Sequence, residues 1–362
     1  MMAESGVDPT GTRAVTVAGP DEQAFPHGWT AERWDSSVRA RSGHLLQSAR
    51  WGDFKRRHGW SVERIVSDDT DESPLAQVLF RHRGPASIGY LPRGPVGVKD
   101  ATSARHLFRR IDAACRDHRA LFLIVEPEQS LPFTGAYRDE GFVRGPAHIQ
   151  PARTVKVPLL EDDDLLNQMH QKTRYNIRLA QRRGVAIEPG GDAPKAIDRF
   201  YQLLLDTASR NEFGVHSRQY YDDFLRLFGP DATLLFATIA GEDAAGLIAA
   251  RFGTQAIYMY GASSTRHRAH GAGFFLQFAA MQWSRDLGCK EYDLWGIPKV
   301  DPVSVQVEDG NRLAGTKGDD WRGLYEFKVR FGGSIVDSAP TLERRYHPLL
   351  ASVVRSIYST TG

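Results

Sequence analysis

Cysteine is nearly absent from this chain of 362 residues, which has only Cys115 and Cys289. Two cysteines make no disulfide framework and suit a reducing compartment. The twelve histidines are scattered outside any ligand spacing, so a structural metal site is not expected. No stretch approaches the ~20 apolar residues of a membrane-spanning helix, and the polar residues 1–28 hold no apolar signal-peptide centre; we expect a cytoplasmic protein. An excess of one charge is missing too. At a formal net charge of +2, a nucleic-acid partner would have to be held by a local basic patch. The chain has no G-x-S-x-G elbow for a serine nucleophile, no P-loop to activate a nucleotide, and no extended heptad segment.

What is present is globular: 41% hydrophobic and 25% charged residues. The length exceeds the ~250–300 residues at which a single core stops growing, so two domains are expected. Residues 1–28 lack periodicity and read as a disordered leader. The pattern then predicts a helix over 47–58, strands over 61–67, 75–82 and 86–91, a helix over 101–118 and a buried strand over 120–126 that ends at Pro127. A basic helix over 165–183 leads to helices over 193–210 and 218–228. Strands over 233–241, 245–252 and 256–260, a helix over 271–287 and a strand over 291–295 follow. Three strands, a helix and a strand therefore occur twice, which points to tandem duplication of one mixed α/β unit. We expect domains over 29–160 and 161–341, and a C-terminal helical tail over 342–362.

Several residues carry chemistry. Lys328 stands in the apolar-aromatic run Tyr325-Glu326-Phe327-Lys328-Val329-Arg330-Phe331. A lysine buried there must lose its charge or face a negative group; otherwise it lies on the polar face of a short amphipathic helix. Glu126 closes a buried strand, where open α/β sheets place functional polar groups, or where a carboxylate simply pairs an arginine. Arg174, Arg178 and Arg182 follow at four-residue spacing, so with Lys172 they form a basic face suited to phosphate contacts or to plain solvation.

In order along the chain, Leu46-Gln47-Ser48 to Trp51 and Lys55, Tyr90-Leu91-Pro92-Arg93-Gly94-Pro95-Val96, Gln171-Lys172-Thr173-Arg174-Tyr175-Asn176-Ile177-Arg178, the segment from Arg210 to Tyr221, Tyr258-Met259-Tyr260-Gly261-Ala262-Ser263, Tyr292 to Ile297, and Phe327-Lys328 to Gly333 resemble the Fem aminoacyltransferases. The arm-less FemX type is the nearer likeness, since no heptad segment is present. The resemblance implies two tandem domains of the N-acetyltransferase (GNAT) fold. It also implies transfer of an amino acid from aminoacyl-tRNA, as co-substrate without a further cofactor, to an amine. The acceptor would be a peptidoglycan precursor stem peptide, or an amine-bearing small molecule such as a peptidyl-nucleoside or amino-sugar intermediate of antibiotic assembly; a monomer is expected.

Lys328 falls on the family's reactive-centre lysine with Phe327 beside it, and Glu126 on an acidic residue proposed to handle the acceptor amine. Lys55, Trp51 and the segment from Arg210 to Tyr221, with Arg218 in it, would flank the acceptor's uridine diphosphate, and Tyr221, Tyr258 and Tyr260 match tyrosines of the acceptor groove. A FemX relative places its arginine directly after the histidine, whereas this chain reads His216-Ser217-Arg218. One motif points elsewhere. Arg268-Ala269-His270-Gly271-Ala272-Gly273 is the arrangement by which acetyltransferases cradle a coenzyme A pyrophosphate, so acyl-CoA-dependent N-acyl transfer is the alternative reading.

Overall fold

In this computed structural model the described residues are 25–133, 135–146, 149–191, 194–211, 214–298 and 321–347. Most of the expected leader and the chain beyond 347 lie outside them. The leader's last residues belong to the fold, because Phe25 sets its ring edge-on to Trp34 at 6.4 Å.

A helix the sequence reading missed, α1 (Ala31–Ala40), starts at Thr30, whose side chain accepts from the Arg33 amide. Ser48 caps α2 (Ala49–Arg57) in the same way. Strands β1 (Ser61–Val66), β2 (Leu75–Arg83) and β3 (Ala86–Pro92) form an antiparallel run. Helix α3 (Ala101–Asp117), closed by a capping box at Asp100 and Ser103, then crosses to β4 (Ala120–Glu126), which lies parallel to β3. Every residue of β4 is buried, as expected of a strand covered on both faces. The short β5 (Val143–Arg144) lies at the far edge of this sheet.

The second sheet begins with β6 (Arg153–Pro158), followed by α4 (Asp162–Gln168), α5 (Gln171–Arg182), β7 (Ala186–Pro189), α6 (Pro194–Asn211) and α7 (Arg218–Phe228). Then come β8 (Ala232–Ile239), β9 (Glu242–Phe252), β10 (Gln255–Ser263), α8 (Ala272–Asp286), β11 (Glu291–Ile297), α9 (Trp321–Val329) and β12 (Ser334–Asp337). Its order is β12-β6-β11-β10-β9-β8-β7.

Three expectations are corrected. The basic segment 165–183 is two helices, broken at Met169 and His170, both extended. The His170 amide donates to the Arg330 carbonyl at 2.9 Å while its ring accepts from the Lys172 amide at 3.1 Å, so the break docks α5 onto the end of α9. Strand β6, expected in the first domain, pairs with β11 and β12 in the second sheet. Residues 342–345, expected to begin a helical tail, are β13 (Leu342–Arg345), inserted between β4 and β5 of the first sheet. A strand's pattern records which face is buried but not which sheet receives it.

The two units share a core. Leu45, Leu46, Trp51 and Phe54 at the start of the chain pack with Phe200, Tyr220, Phe224 and Phe236 of the second unit. Among the described residues no helix is long and apolar enough to cross a membrane.

Candidate active site

The two parallel strand pairs differ in one respect that creates a site. In the first sheet, β3 and β4 stay paired to their ends, through Pro92 and Glu126. In the second, β10 and β11 pair only from Gln255 and Glu291 to Ile257 and Asp293, and then part. Strand β10 keeps its pairing with β9 as far as Ser263, and β11 keeps its own with β6 as far as Ile297. A wedge therefore opens between Tyr258 and Gly296.

Helix α9 sets Lys328 in this wedge. Its ammonium donates to the Gly296 carbonyl at 2.8 Å and lies 5.5 Å from the centre of the Tyr258 ring, so it touches both diverging strands. The side chain is only 5% exposed. Burial lowers its pKa to about 8, and the charge of Asp293 acts against that fall. The amphipathic-surface alternative is thus excluded: Lys328 is a buried cation held by a carbonyl, a π face and a nearby carboxylate. Glycine at 261 makes room for the Tyr258 hydroxyl, which fills the place where a β-carbon on residue 261 would stand. Phe327 packs between Phe274, at 4.9 Å, and Phe331, at 5.2 Å, as a core residue beside the lysine.

Glu126 is 1% exposed and fully engaged. Tyr90 donates its hydroxyl to the carboxylate at 2.5 Å, and the amides of Ile149 and Gln150 also donate to it. It therefore pins the turn that leads into β6 through these two amides. Arg93, with its backbone at a φ of 51°, continues this seam by donating to the carbonyl of Pro151 at 2.8 Å and lying 5.6 Å from the Trp295 ring.

Lys55 and Trp51 come together as expected. The Lys55 ammonium lies 5.3 to 5.8 Å from the rings of Trp51, Phe54, Trp60 and Tyr220, and donates to the Tyr220 hydroxyl at 3.5 Å. Burial, with Arg81 nearby, lowers its pKa to about 8, and among the described residues no carboxylate pairs with it. The His216 ring stacks on Tyr220 at 3.9 Å. Tyr221 is buried, its hydroxyl accepting from the His216 amide at 3.2 Å. Arg218 turns away to pair with Asp198 on α6. A bulge between Tyr258 and Tyr260 sends the two tyrosines to opposite faces, Tyr258 to Lys328 and Tyr260 to the Tyr220 cluster.

The FemAB family model matches residues 30–134, 136–243 and 240–359, nearly the whole chain. The chain belongs to the FemAB family. Over 214 residues it is 28% identical to a Staphylococcus aureus protein named Lipid II:glycine glycyltransferase, covering 54% of this chain and 50% of that one. The chain thus spans about half the length of the curated relatives it matches. Among solved structures, FemX superposes with a TM-score of 0.76 at 19% identity, covering 90% of this chain and 98% of that one. A tandem GNAT protein from the clavulanic acid biosynthesis pathway gives 0.52 at 13%, covering 87% and 94%. The fold is the expected mixed α/β arrangement of two GNAT-like units.

The basic face of this FemAB chain divides. Arg174 donates to the carbonyls of Asn167, at 3.3 Å, and Met169, so it closes the end of α4. Lys172, Arg178 and Arg182 are exposed, and Arg182 lies 6.0 Å from the centre of the exposed Tyr175 ring. The glycine-rich loop before α8 has a structural explanation in part. Gly271 has a φ of 73°, and a β-carbon there would stand 2.5 Å from the Asn176 carbonyl oxygen of α5. Arg183 also donates to the Ala269 carbonyl at 2.7 Å, so α5 packs directly on this loop.

Sequence reading missed Asp293, Thr154 and Gly296. Glycine at 296 is readable as an irregularity in a strand, but its carbonyl's partner is not. Among the described residues no group of three or more His, Cys, Asp or Glu side chains is placed to hold a metal.

Proposed function

We propose that the protein is a tRNA-dependent aminoacyltransferase. It moves an amino acid from the ester at the 3′ end of aminoacyl-tRNA to an amine of a peptidoglycan precursor. The observation that carries this reading is Lys328, a buried cation at the opening between β10 and β11. A neutral acceptor amine attacks the ester carbonyl, the carbon–nitrogen bond forms, and the carbonyl oxygen becomes an oxyanion beside the Lys328 ammonium. Collapse breaks the ester bond, and the proton lost by the amine goes to the leaving ribose hydroxyl. A cation in a desolvated wedge stabilises this oxyanion more than it does the neutral ester.

The exposed Lys172, Arg178 and Arg182 contact the tRNA backbone, and the Lys55 ammonium, with which no carboxylate among the described residues pairs, receives the acceptor's diphosphate. The relative named Lipid II:glycine glycyltransferase supports a cell-wall precursor as acceptor. An amine-bearing intermediate of antibiotic assembly is the other acceptor class to be assayed. Acyl-CoA use is the weaker reading, because α5 already occupies one side of the loop at Gly271.

The test is transfer of a labelled amino acid from charged tRNA to a uridine-diphosphate-linked stem peptide, without ATP. Ribonuclease added beforehand should abolish it. Transfer that survives ribonuclease, or that requires acetyl-CoA, would overturn the donor assignment.

A further inference from the structure

Asp293 is 2% exposed and sits where the wedge begins, as the last residue of β11 paired to β10. Its carboxylate accepts from the Thr154 hydroxyl on the neighbouring β6, and the same oxygen accepts from the Trp295 amide at 2.6 Å. The second contact spans a bulge in which the pairing with β6 jumps from Asp293 to Gly296 and Trp295 takes a φ of 60°. A bulky residue adopts that backbone only where its surroundings impose it. The same irregularity delivers the Gly296 carbonyl to the Lys328 ammonium.

We infer that Asp293 is a positioning residue for the proposed reaction: it holds the β11 bulge that presents Gly296 to Lys328, and its charge keeps Lys328 protonated. The inference rests on the reading of Lys328 given above. Among the described residues, the charged and titratable groups facing this pair are Lys156 on β6, Arg93 after β3, Tyr258 on β10 and Tyr292 on β11 itself. Burial raises the pKa of Asp293 from its ordinary value; the hydrogen bonds from Thr154 and the Trp295 amide and the charges of Lys156 and Arg93 act against that rise and favour the anion. Lys156 pairs with Glu128 and Glu291, each at 3.3 Å, and among the described residues Asp293 is the carboxylate whose charge acts on Lys328.

Asp293→Asn keeps an acceptor oxygen for Thr154 and Trp295 and removes the charge. The experiment follows the Lys328 ammonium by NMR in lysine-labelled protein, the resonance being assigned by its loss in Lys328→Met, and measures single-turnover transfer across pH. The expected result is a Lys328 titration midpoint lower by about one unit or more, the effect of losing a close opposite charge. The alkaline limb of the transfer rate should be displaced by the same amount. Thr154→Val, which removes one donor to Asp293 at nearly equal volume, should move both readouts in the same direction by less, and it serves if Asp293→Asn fails to fold. An unchanged Lys328 midpoint in a folded Asp293→Asn protein overturns the inference. If the midpoint moves but Lys328→Met transfers at the parental rate, the positioning holds and the proposed role of Lys328 fails.

Discussion

Lys328 holds its proton against burial. A pKa lowered from 10.5 to about 8 corresponds to about 3 kcal/mol of disfavour for the cation, an order-of-magnitude figure. The unfolded chain holds this proton up to its ordinary range, so between pH 8 and 10.5 the unfolded state binds more protons than the folded one. The lysine's cost to folding is therefore fully felt below pH 8 and is relieved as pH rises through that window. Catalysis runs the other way, since the cation is present below pH 8 and lost above it. Single-turnover transfer should fall with an alkaline limb near pH 8, and Lys328→Met should lower it by roughly 10²- to 10³-fold, the scale of losing one oxyanion donor. A flat profile from pH 7 to 9.5 with a parental rate in Lys328→Met would reduce the residue to packing. This lysine was legible because a lone ammonium in an aromatic run has few physical solutions. Asp293 was not, since its importance arises from a bulge that only the pairing of β11 with β6 reveals. Glu126 was legible as a strand-end carboxylate, but its hold on the 149–150 amides depends on a turn with no sequence signature.

Helix α5 separates residues that a four-residue spacing makes equivalent. Periodicity placed Arg174, Arg178 and Arg182 on one face, yet the break at His170 puts Arg174 over the carbonyl end of α4 and leaves the other two in solvent. The break could not be read because no glycine or proline marks it; it is made by the Arg330 carbonyl, which is distant in sequence. Two different losses follow. Arg174→Ala should cost about 1 kcal/mol of stability through its hydrogen bonds to backbone carbonyls, with little change in affinity for tRNA. Arg178→Ala with Arg182→Ala should leave the melting temperature near the parental value, weaken tRNA binding, and reduce the salt slope by about one for each phosphate contact removed. Chemical denaturation and binding titrations at several salt concentrations measure both. A double variant with the parental affinity and slope would make this face an ordinary solvated surface.

Across the whole molecule, the repeated order of three strands, helix and strand disclosed the two similarly built units, because each keeps its own hydrophobic periodicity. The exchange between copies stayed hidden. Strand β6 precedes most of the second unit but completes its sheet, and β13 returns from the end of the second unit to lie between β4 and β5. The halves are also joined by the core around Phe54, which is fully buried with Tyr220 at 4.6 Å and Phe224 at 5.4 Å, and by the Arg50 contact to the Phe228 carbonyl at 3.0 Å. An apolar interface of this kind, with strands shared in both directions, opposes independent unfolding of the two units. The full chain should therefore melt in one calorimetric transition. Phe54→Ala, which empties a site built from both units, should cost about 3–5 kcal/mol and lower that transition without splitting it. Two separated transitions in the parent, with Phe54→Ala moving only one of them, would mean that each sheet folds on its own and that the shared core contributes little; a single transition displaced as a whole would tie the lysine wedge of the second unit to the integrity of the first.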